Sequence, residues 1–487
     1  MTERKTMIVA AAIFMVAAAL LRLPGIGEQS YWADEIVSIN LASRPVGEIL
    51  TVEDGFPPLY ALLVKALGPQ AAANFSVRKL SAVFGVLSVG IILLLGARLY
   101  DLRTGVFAAL LLTLSPLHVW YSREGRMYAV MVFLSILSSL LLQDITRKGR
   151  WGARAAFLGI ALGGLLIHYV YAGMIAAQLL YLLTRLTFRK IQLRWFVISL
   201  IAIAALSWAL YPIVKEAIIH WPLGLPREFR LFSLPYTAFT FVSGFGIGPP
   251  LEELHRVPGF SAVLGYWPEV FLVIIIGAIV GTAGLRASFQ EKTSGLRLYL
   301  FLWLIVPPAI AIFISWTAGT AYNVRYAITS LPAFILMVGF GLARHGRLFA
   351  VTGLALLVII SFVSIARDRL NPRYAREDIR SSSKYLETAV EKQDRIYSCA
   401  ACVSSVFEYY YKGSHKIEFL PVRPVETEDD VHRILNVFSE NQRQTWLVLS
   451  RDWEEDPDGL LEKELAKNQK AELAAVFPGV KIYRIKK

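Results

Sequence analysis

Blocks of apolar residues separated by short polar turns fill the chain as far as about residue 366. Each block holds roughly 16 to 21 residues with almost no charge, close to the ~20 residues that a helix needs to cross a hydrocarbon core about 30 Å thick. The pattern therefore predicts about eleven transmembrane helices. They cover residues 7–23, 79–97, 105–121, 127–142, two spans within 155–183 that turn near His168, 195–214, 268–285, 298–317, 326–343 and 348–366.

Two apolar segments need a separate interpretation. The first block follows the basic residues Arg4 and Lys5, as a signal peptide would, but the sequence 21–24 (Leu-Arg-Leu-Pro) offers no small-residue cleavage site. We therefore expect a retained signal anchor. The apolar run 57–63 is too short to span a bilayer, so we expect it to lie in the interface or to be re-entrant.

Composition and charge agree with a membrane protein. Of the 487 residues, 55% are hydrophobic and only 18% are charged. The net charge of +13 comes largely from Lys and Arg in short loops, a distribution that indicates topology and not nucleic-acid binding. These loops predict a multi-pass protein of the inner (plasma) membrane with a cytoplasmic N-terminus. The predicted outer segments are loop 24–78, the turn 123–126, the turn at His168, loop 215–267, the turn 322–325 and everything after Arg367.

The chain changes character after the last span. Residues 370–487 are charged and alternate in pattern, with strand-like runs at 395–397, 417–420, 445–449 and 480–483. Helical patterns cover Asp429 to Phe438 and Pro457 to Val476. We predict a soluble extracytoplasmic α/β domain at 370–487, acting as a lid or on the acceptor side, after a transmembrane domain at 1–369 that includes outer loop 24–78.

An acidic pair follows the first span on the predicted outer side. Asp34 and Glu35 lie within Tyr-Trp-Ala-Asp-Glu-Ile-Val (31–37), beside aromatic residues typical of the membrane interface. Such a pair is often an ordinary solvated loop feature. Its position alone therefore does not identify a site.

Other outer turns add cations and hydroxyls on the same predicted side. Arg123, Arg126 and Tyr128 lie in one turn, and Arg325 and Tyr326 begin a later span. An Arg at a membrane boundary is often only a snorkelling side chain. Carboxylates together with Arg and Tyr would nevertheless suit a ligand that joins a hydroxyl to a phosphate.

The order of short motifs resembles the bacterial glycosyltransferase family 39-type proteins, which are relatives of protein O-mannosyltransferases and lipid A aminoarabinose transferases with the GT-C fold. The motifs cover most of the chain, and their order and common side carry the resemblance. They are Trp32-x-Asp34-Glu35, Pro57-Pro58-Leu59-Tyr60, Arg78-x-x-Ser81-x-x-Phe84-Gly85, Ser115-Pro116, Arg123-Glu124-x-Arg126-Met127-Tyr128, Arg325-Tyr326, Pro332, Arg376-Glu377-Asp378-Ile379-Arg380, Asp394-Arg395-Ile396-Tyr397 and Tyr409-Tyr410-Tyr411.

This resemblance implies an inverting transfer from a polyprenyl-phosphate-linked sugar to a hydroxyl of a glycan, lipid or protein acceptor, on the non-cytoplasmic face. It implies that Asp34 is the general base and that Glu35 orients the base or the acceptor. Arg126 is the first candidate for the donor phosphate and Arg325 the second. Further candidates are Tyr326 and Arg123 for the phosphate, and Tyr60, Tyr128 and His168 as substrate contacts.

The chain departs from the aminoarabinose transferases at two positions. Val37 and Phe56 stand where those relatives have an Arg and a Lys, and the His that many family 39-type proteins have before the double proline is also absent. Neutralisation of the phosphate must then come from other residues. This strengthens the expectation for Arg126 and Arg325 and leaves the sugar open.

Two other features and two rival functions remain open. His168 is a candidate contact, although a lone His at a turn is often only interfacial. Cys399 and Cys402 would form a local disulfide, a redox pair or half a metal site, or they are ordinary small residues. We identify no metal-ligand set and require no cofactor, while a divalent metal stays open. The rivals are a lipid or solute transporter or flippase, and a non-catalytic lipid-binding assembly protein.

Overall fold

Helices make up most of the structure, which is a computed structural model. It describes residues 2–51, 57–187, 192–219, 233–257, 260–290, 294–317, 322–399, 403–420, 425–440, 444–467 and 471–486. The helices are α1 (Thr2–Arg22), α2 (Ala33–Ser43), α3 (Val46–Thr51), α4 (Leu59–Lys65), α5 (Ser76–Leu99), α6 (Leu102–Leu114), α7 (Pro116–Ser122), α8 (Tyr128–Lys148), α9 (Trp151–Ile167), α10 (Ala172–Thr187), α11 (Leu193–Ile219), α12 (Ser233–Ser243), α13 (Leu251–Arg256), α14 (Ser261–Leu264), α15 (Trp267–Gln290), α16 (Ser294–Thr317), α17 (Leu331–Arg344), α18 (Arg347–Leu370), α19 (Ile379–Ala389), α20 (Ser404–Tyr410), α21 (Glu428–Glu440) and α22 (Leu460–Lys467). The strands are β1 (Arg395–Ser398), β2 (Ile417–Phe419), β3 (Thr445–Ser450), β4 (Ala471–Phe477) and β5 (Val480–Ile485).

The predicted polytopic architecture is confirmed. Within the described ranges, nine helices are long and apolar enough to cross a membrane, and a bent pair would make ten. The remaining predicted span corresponds to α9, which is apolar but has only 17 residues. The predicted hairpin in 155–183 is present, since α9 and α10 are joined at His168 by a 3-10 turn, Tyr169–Tyr171.

The span predicted at 105–121 is broken in the middle. Helices α6 and α7 meet at an angle of 59°. Pro116 begins α7, and the residue before a proline is biased away from helical geometry. Ser115 is non-helical, with ψ of 114°, and its Oγ accepts the backbone N–H of His118. The apolar block is thus a bent pair and not one straight helix.

The chain folds into two compact units. The first contains Met1–Ile26, Leu41–Gly244 and Pro268–Ile365, and so it holds the membrane helices. Glycines allow close approach of helix backbones in this unit. A Cβ on Gly96 of α5 would lie 2.8 Å from Cα of Gly105 in α6, and one on Gly341 of α17 would lie 2.6 Å from the backbone N of Gly284 in α15. Small residues of this kind are typical of packed transmembrane helices.

The second unit contains Gly27–Asn40, Phe245–Trp267 and Ala366–Lys487. Its sheet has the order β2-β1-β3-β5-β4, in which β1 is parallel to β2 and β3, while β5 is antiparallel to β3 and β4. Residues of α21 and α22 pack on the face that carries Tyr397 and Leu447. Tyr385 of α19 packs on Trp446, whose side chain points to the opposite face. The predicted α/β fold of the C-terminal part of the chain is therefore confirmed.

One helix prediction in this domain is wrong in its second half. The helix predicted from Pro457 to Val476 is α22, which ends at Lys467, and the following segment Ala471–Phe477 is the strand β4. The sequence of β4 is rich in Ala and would suit a helix. It pairs instead with β5 across a turn at Gly479, where φ is +62°. Tertiary pairing therefore overrides local propensity.

Candidate functional site

Three turns predicted to lie on the same side of the membrane meet in the first unit. The ring of His168 lies 6.3 Å from that of Tyr128 and 6.1 Å from that of Tyr326, between ring centroids. Cζ of Arg325 lies 5.7 Å from the ring centroid of Tyr128 and 5.6 Å from that of Tyr326. With Arg126, whose charge acts on His168, these residues form what we call the cationic cluster: Arg126, Tyr128, His168, Arg325 and Tyr326.

His168 is the uncharged centre of the cationic cluster. It lies between the spanning helices, with only 2% of its surface exposed. Burial, followed by the positive charges of Arg126 and Arg325, lowers the pKa of His168 to about 3. Its Nδ1 accepts the backbone N–H of Val170. The neutral ring therefore carries its proton on Nε2, where it is a hydrogen-bond donor without adding charge.

Arg126 is held in place by its own turn. Its side chain is buried, with 5% of its surface exposed, and its backbone carbonyl accepts a hydrogen bond from Oγ of Ser81 at 2.9 Å. Its backbone N–H donates to the carbonyl of Glu124, which is itself fully buried. A buried guanidinium on a rigid turn is a pre-organised site for an anion such as phosphate.

Arg123 has a different environment from Arg126, although both lie in the same turn. Its guanidinium donates to the backbone carbonyls of Arg22, Pro24 and Gly25 at 2.9, 2.7 and 2.8 Å. These carbonyls belong to the end of α1 and the residues after it, where helical partners are lacking. This geometry favours a structural role for Arg123 over the predicted phosphate contact.

Tyr60, predicted as a substrate contact, is buried on α4, and α4 packs against α9. Tyr128, another predicted contact, is 1% exposed and begins α8 within the cationic cluster.

The chain departs from the aminoarabinose transferases at Val37 and Phe56. Val37 lies on α2, and Phe56 lies outside the described residues.

The acidic pair belongs to the second unit and lies in the first turn of α2. Carboxylates are favoured there because the helix N-terminus has exposed N–H groups and positive dipole character. Glu35 is completely buried, whereas Asp34 is partly exposed. Oε2 of Glu35 accepts the backbone N–H of Trp32 at 3.3 Å, which is the Glu half of a capping box at the helix start. The two acidic residues therefore have different environments, and only Asp34 is partly exposed.

Glu35 also has a cationic partner, Arg376, for which the sequence pattern predicted no role. Nη1 of Arg376 lies 3.4 Å from its Oε2, and Cζ of Arg376 lies 5.5 Å from the ring centroid of Trp32. The sequence signal for Arg376 was its place in the Arg-Glu-Asp-Ile-Arg motif, but nothing local linked that motif to residue 35.

The remaining candidates for chemistry are the cysteines and metal ligands. Burial raises the pKa of the Cys399 thiol, and the carboxylates of Glu455 and Asp452 raise it further, so this thiol is a poor nucleophile. Cys402 lies outside the described residues. In the part of the chain that the structure describes, no three His, Cys, Asp or Glu side chains are grouped so as to hold a metal ion.

Comparison with known proteins identifies the fold. Residues 57–211 match a family model described as dolichyl-phosphate-mannose-protein mannosyltransferase. No curated protein sequence matches the chain. The crystal structure of ArnT from Cupriavidus metallidurans bound to undecaprenyl phosphate is similar at 12% sequence identity and a TM-score of 0.55, covering 98% of this chain and 97% of that one.

A second solved structure is similar over slightly less of the chain. It is the archaeal oligosaccharyltransferase AglB from Archaeoglobus fulgidus, in complex with an inhibitory peptide and a dolichol-phosphate. The sequence identity is 12% and the TM-score 0.51, and the match covers 93% of this chain and 70% of that one. The predicted resemblance is thus confirmed: the chain is a multi-pass membrane protein with the GT-C fold of these glycosyltransferases.

Proposed function

We propose that the protein is an inverting glycosyltransferase that moves a sugar from a polyprenyl phosphate to an acceptor hydroxyl on the non-cytoplasmic face. The observation that carries this proposal is the cationic cluster, in which the charges of two arginines act on a neutral histidine that lies among tyrosines. Such a set suits a phosphate whose negative charge grows during the reaction. The ligands of the two similar structures, undecaprenyl phosphate and dolichol-phosphate, support a donor of this class.

In the proposed reaction, the acceptor oxygen attacks the anomeric carbon while the bond from that carbon to the phosphate oxygen breaks. The leaving polyprenyl phosphate keeps the electron pair and gains one negative charge. Arg126 and Arg325 stabilise that charge, and the Nε2–H of His168 and the hydroxyl of Tyr326 donate hydrogen bonds to it. Phosphate leaves without an acid because fixed cations replace protonation.

Asp34 takes the proton of the acceptor hydroxyl in this scheme. A general base of this kind contributes on the order of 10²–10⁴ in rate. The environments of the two carboxylates support the assignment, because Asp34 is partly exposed whereas Glu35 is buried and paired with Arg376. The acceptor, whether glycan, lipid or protein, is the molecule whose hydroxyl binds beside Asp34.

The decisive experiment compares Asp34→Asn with the wild-type protein. Purified protein is incubated with a panel of polyprenyl-phosphate sugars, and loss of the donor is followed by mass spectrometry. We expect Asp34→Asn to bind the donor lipid but to transfer no sugar. Glu28→Gln is the matched control, since Glu28 is an exposed carboxylate in the same segment. Transfer at the wild-type rate by Asp34→Asn would contradict the proposed base.

The same preparation separates this function from its rivals. A transporter or flippase moves a lipid or solute across the membrane of sealed vesicles without changing the covalent structure of that lipid or solute, and a non-catalytic binding protein leaves the donor intact.

We further propose a plasma-membrane location with the N-terminus in the cytoplasm. An alkaline phosphatase reporter fused after Lys487 should then be active, because this enzyme folds only outside the cytoplasm. An inactive phosphatase fusion, together with fluorescence from a fluorescent protein fused at the same position, would show that the orientation is the opposite one.

A further inference from the structure

The segment that carries the acidic pair is fastened to the C-terminal domain within the second unit. Arg380 donates to the backbone carbonyls of Gly27 and Gln29 at 3.0 and 2.9 Å. Oγ of Ser30 donates to Oδ1 of Asp378 at 2.8 Å. The backbone N–H of Tyr31 donates to the hydroxyl of Tyr410 at 2.8 Å. Residues 27–31 belong to no helix or strand. Their conformation is therefore set by these hydrogen bonds to residues that follow the last span.

Arg376 adds a contact between the C-terminal domain and the acidic pair itself. Its side chain is 9% exposed and that of Glu35 is 0% exposed, with 3.4 Å between Nη1 and Oε2. The guanidinium also lies over the ring of Trp32, the residue before α2. The same Oε2 of Glu35 accepts the N–H of Trp32. One guanidinium thus contacts residues on both sides of Asp34 and restrains the start of α2.

We propose that Arg376 is a positioning residue for the proposed base: it holds Glu35 and Trp32 so that the carboxylate of Asp34 keeps its reactive orientation. This inference rests on the proposed function. It assigns the C-terminal domain a part in building the carboxylate motif, beside the predicted lid or acceptor-side role. A displacement of about 1 Å in a reacting group can cost on the order of 10²-fold in rate, so a buried clamp of this kind affects catalysis without touching substrate.

The test uses the full-length protein and five variants. Arg376→Met should lower kcat on the order of 10²-fold while the KM for the donor lipid stays within about 3-fold, because a residue that positions the base affects the chemical step more than binding of the donor. Arg376→Lys keeps the charge and should recover part of kcat. Arg433→Met removes an arginine that is 70% exposed on α21 of the same domain, and it should behave as wild type.

The fourth and fifth variants are Glu35→Gln alone and the double variant Glu35→Gln with Arg376→Met. If Arg376 acts through Glu35, the double variant loses no more kcat than the worse single variant. The double variant also removes both charges of the pair, whereas each single variant removes only one. Losses that multiply would overturn the inference, as would an unchanged kcat in folded Arg376→Met. If Asp34→Asn retains wild-type transfer, the proposed function itself fails. If Asp34→Asn is inactive and Arg376→Met is fully active, only the positioning role fails.

Discussion

Nδ1 of His168 accepts a hydrogen bond from the backbone N–H of Val170 at 3.2 Å, which caps the 3-10 turn between α9 and α10. This bond commits Nδ1 to a structural role and leaves Nε2–H as the donor. Since the pKa of His168 is lowered to about 3, the ring stays neutral across the physiological range. The cationic cluster therefore contains, beside the charged Arg126 and Arg325, a hydrogen-bond donor that stays uncharged at physiological pH.

We expect His168 to destabilise the folded protein as the pH falls. The unfolded chain takes up a proton below about pH 6.5, whereas the folded protein does not until about pH 3. Stability is therefore lost between these values, by roughly 1 kcal/mol at about pH 5.5, and is unaffected above about pH 7.5. Thermal unfolding in detergent should show a larger acid-induced drop in Tm for wild type than for His168→Gln. Parallel pH curves for the two proteins would contradict the lowered pKa.

Arg126→Ala should weaken donor binding as well as the rate of transfer. A charge-assisted hydrogen bond is worth about 1.5–3 kcal/mol, so we expect a loss of donor affinity on the order of 10- to 100-fold. Arg126→Lys should recover part of this loss, because the charge remains while the bidentate geometry is lost. Titration of the purified variants with the donor lipid measures the effect. Unchanged affinity would move the phosphate site away from Arg126.

Arg123→Gln should have the opposite signature. Three backbone carbonyls lose a charged donor, so we expect a lower Tm, equivalent to about 1–3 kcal/mol, with donor affinity unchanged for the folded fraction. Together with Arg126→Ala, this variant compares two arginines of one turn in the same assay. A loss of donor affinity with an unchanged Tm would restore the phosphate role predicted for Arg123.

Gly341→Ala should destabilise the membrane unit. The added methyl group would meet the backbone of Gly284 on α15, which cannot move aside as a flexible side chain does. Overpacking of this kind costs about 1–3 kcal/mol. Gly159→Ala on α9 is the matched control, because its Cβ would meet no atom within 4 Å. Equal Tm values for the two variants would show that the close approach of α15 and α17 is not needed.

Local sequence patterns were sufficient for most of the fold. The membrane helices follow from apolar block length, and four of the five strands follow from short alternating runs. The exceptions arise where a distant or specific contact decides the conformation. Pairing with β5 makes Ala471–Phe477 a strand, and Pro116 breaks a block whose hydropathy is continuous.

The sequence by itself determined the membrane class, the predicted side of each turn and the candidate residues Asp34, Arg126, His168 and Arg325, because these depend on local composition and short motifs. Only the tertiary structure decided which candidates meet. In the tertiary structure, the turns that carry Arg126 and Arg325 lie close to His168. Arg123 donates to backbone carbonyls, and Glu35 pairs with Arg376, which is 341 positions away in the chain. Such pairs are invisible to local patterns because their energy depends on packing between elements that are far apart in sequence.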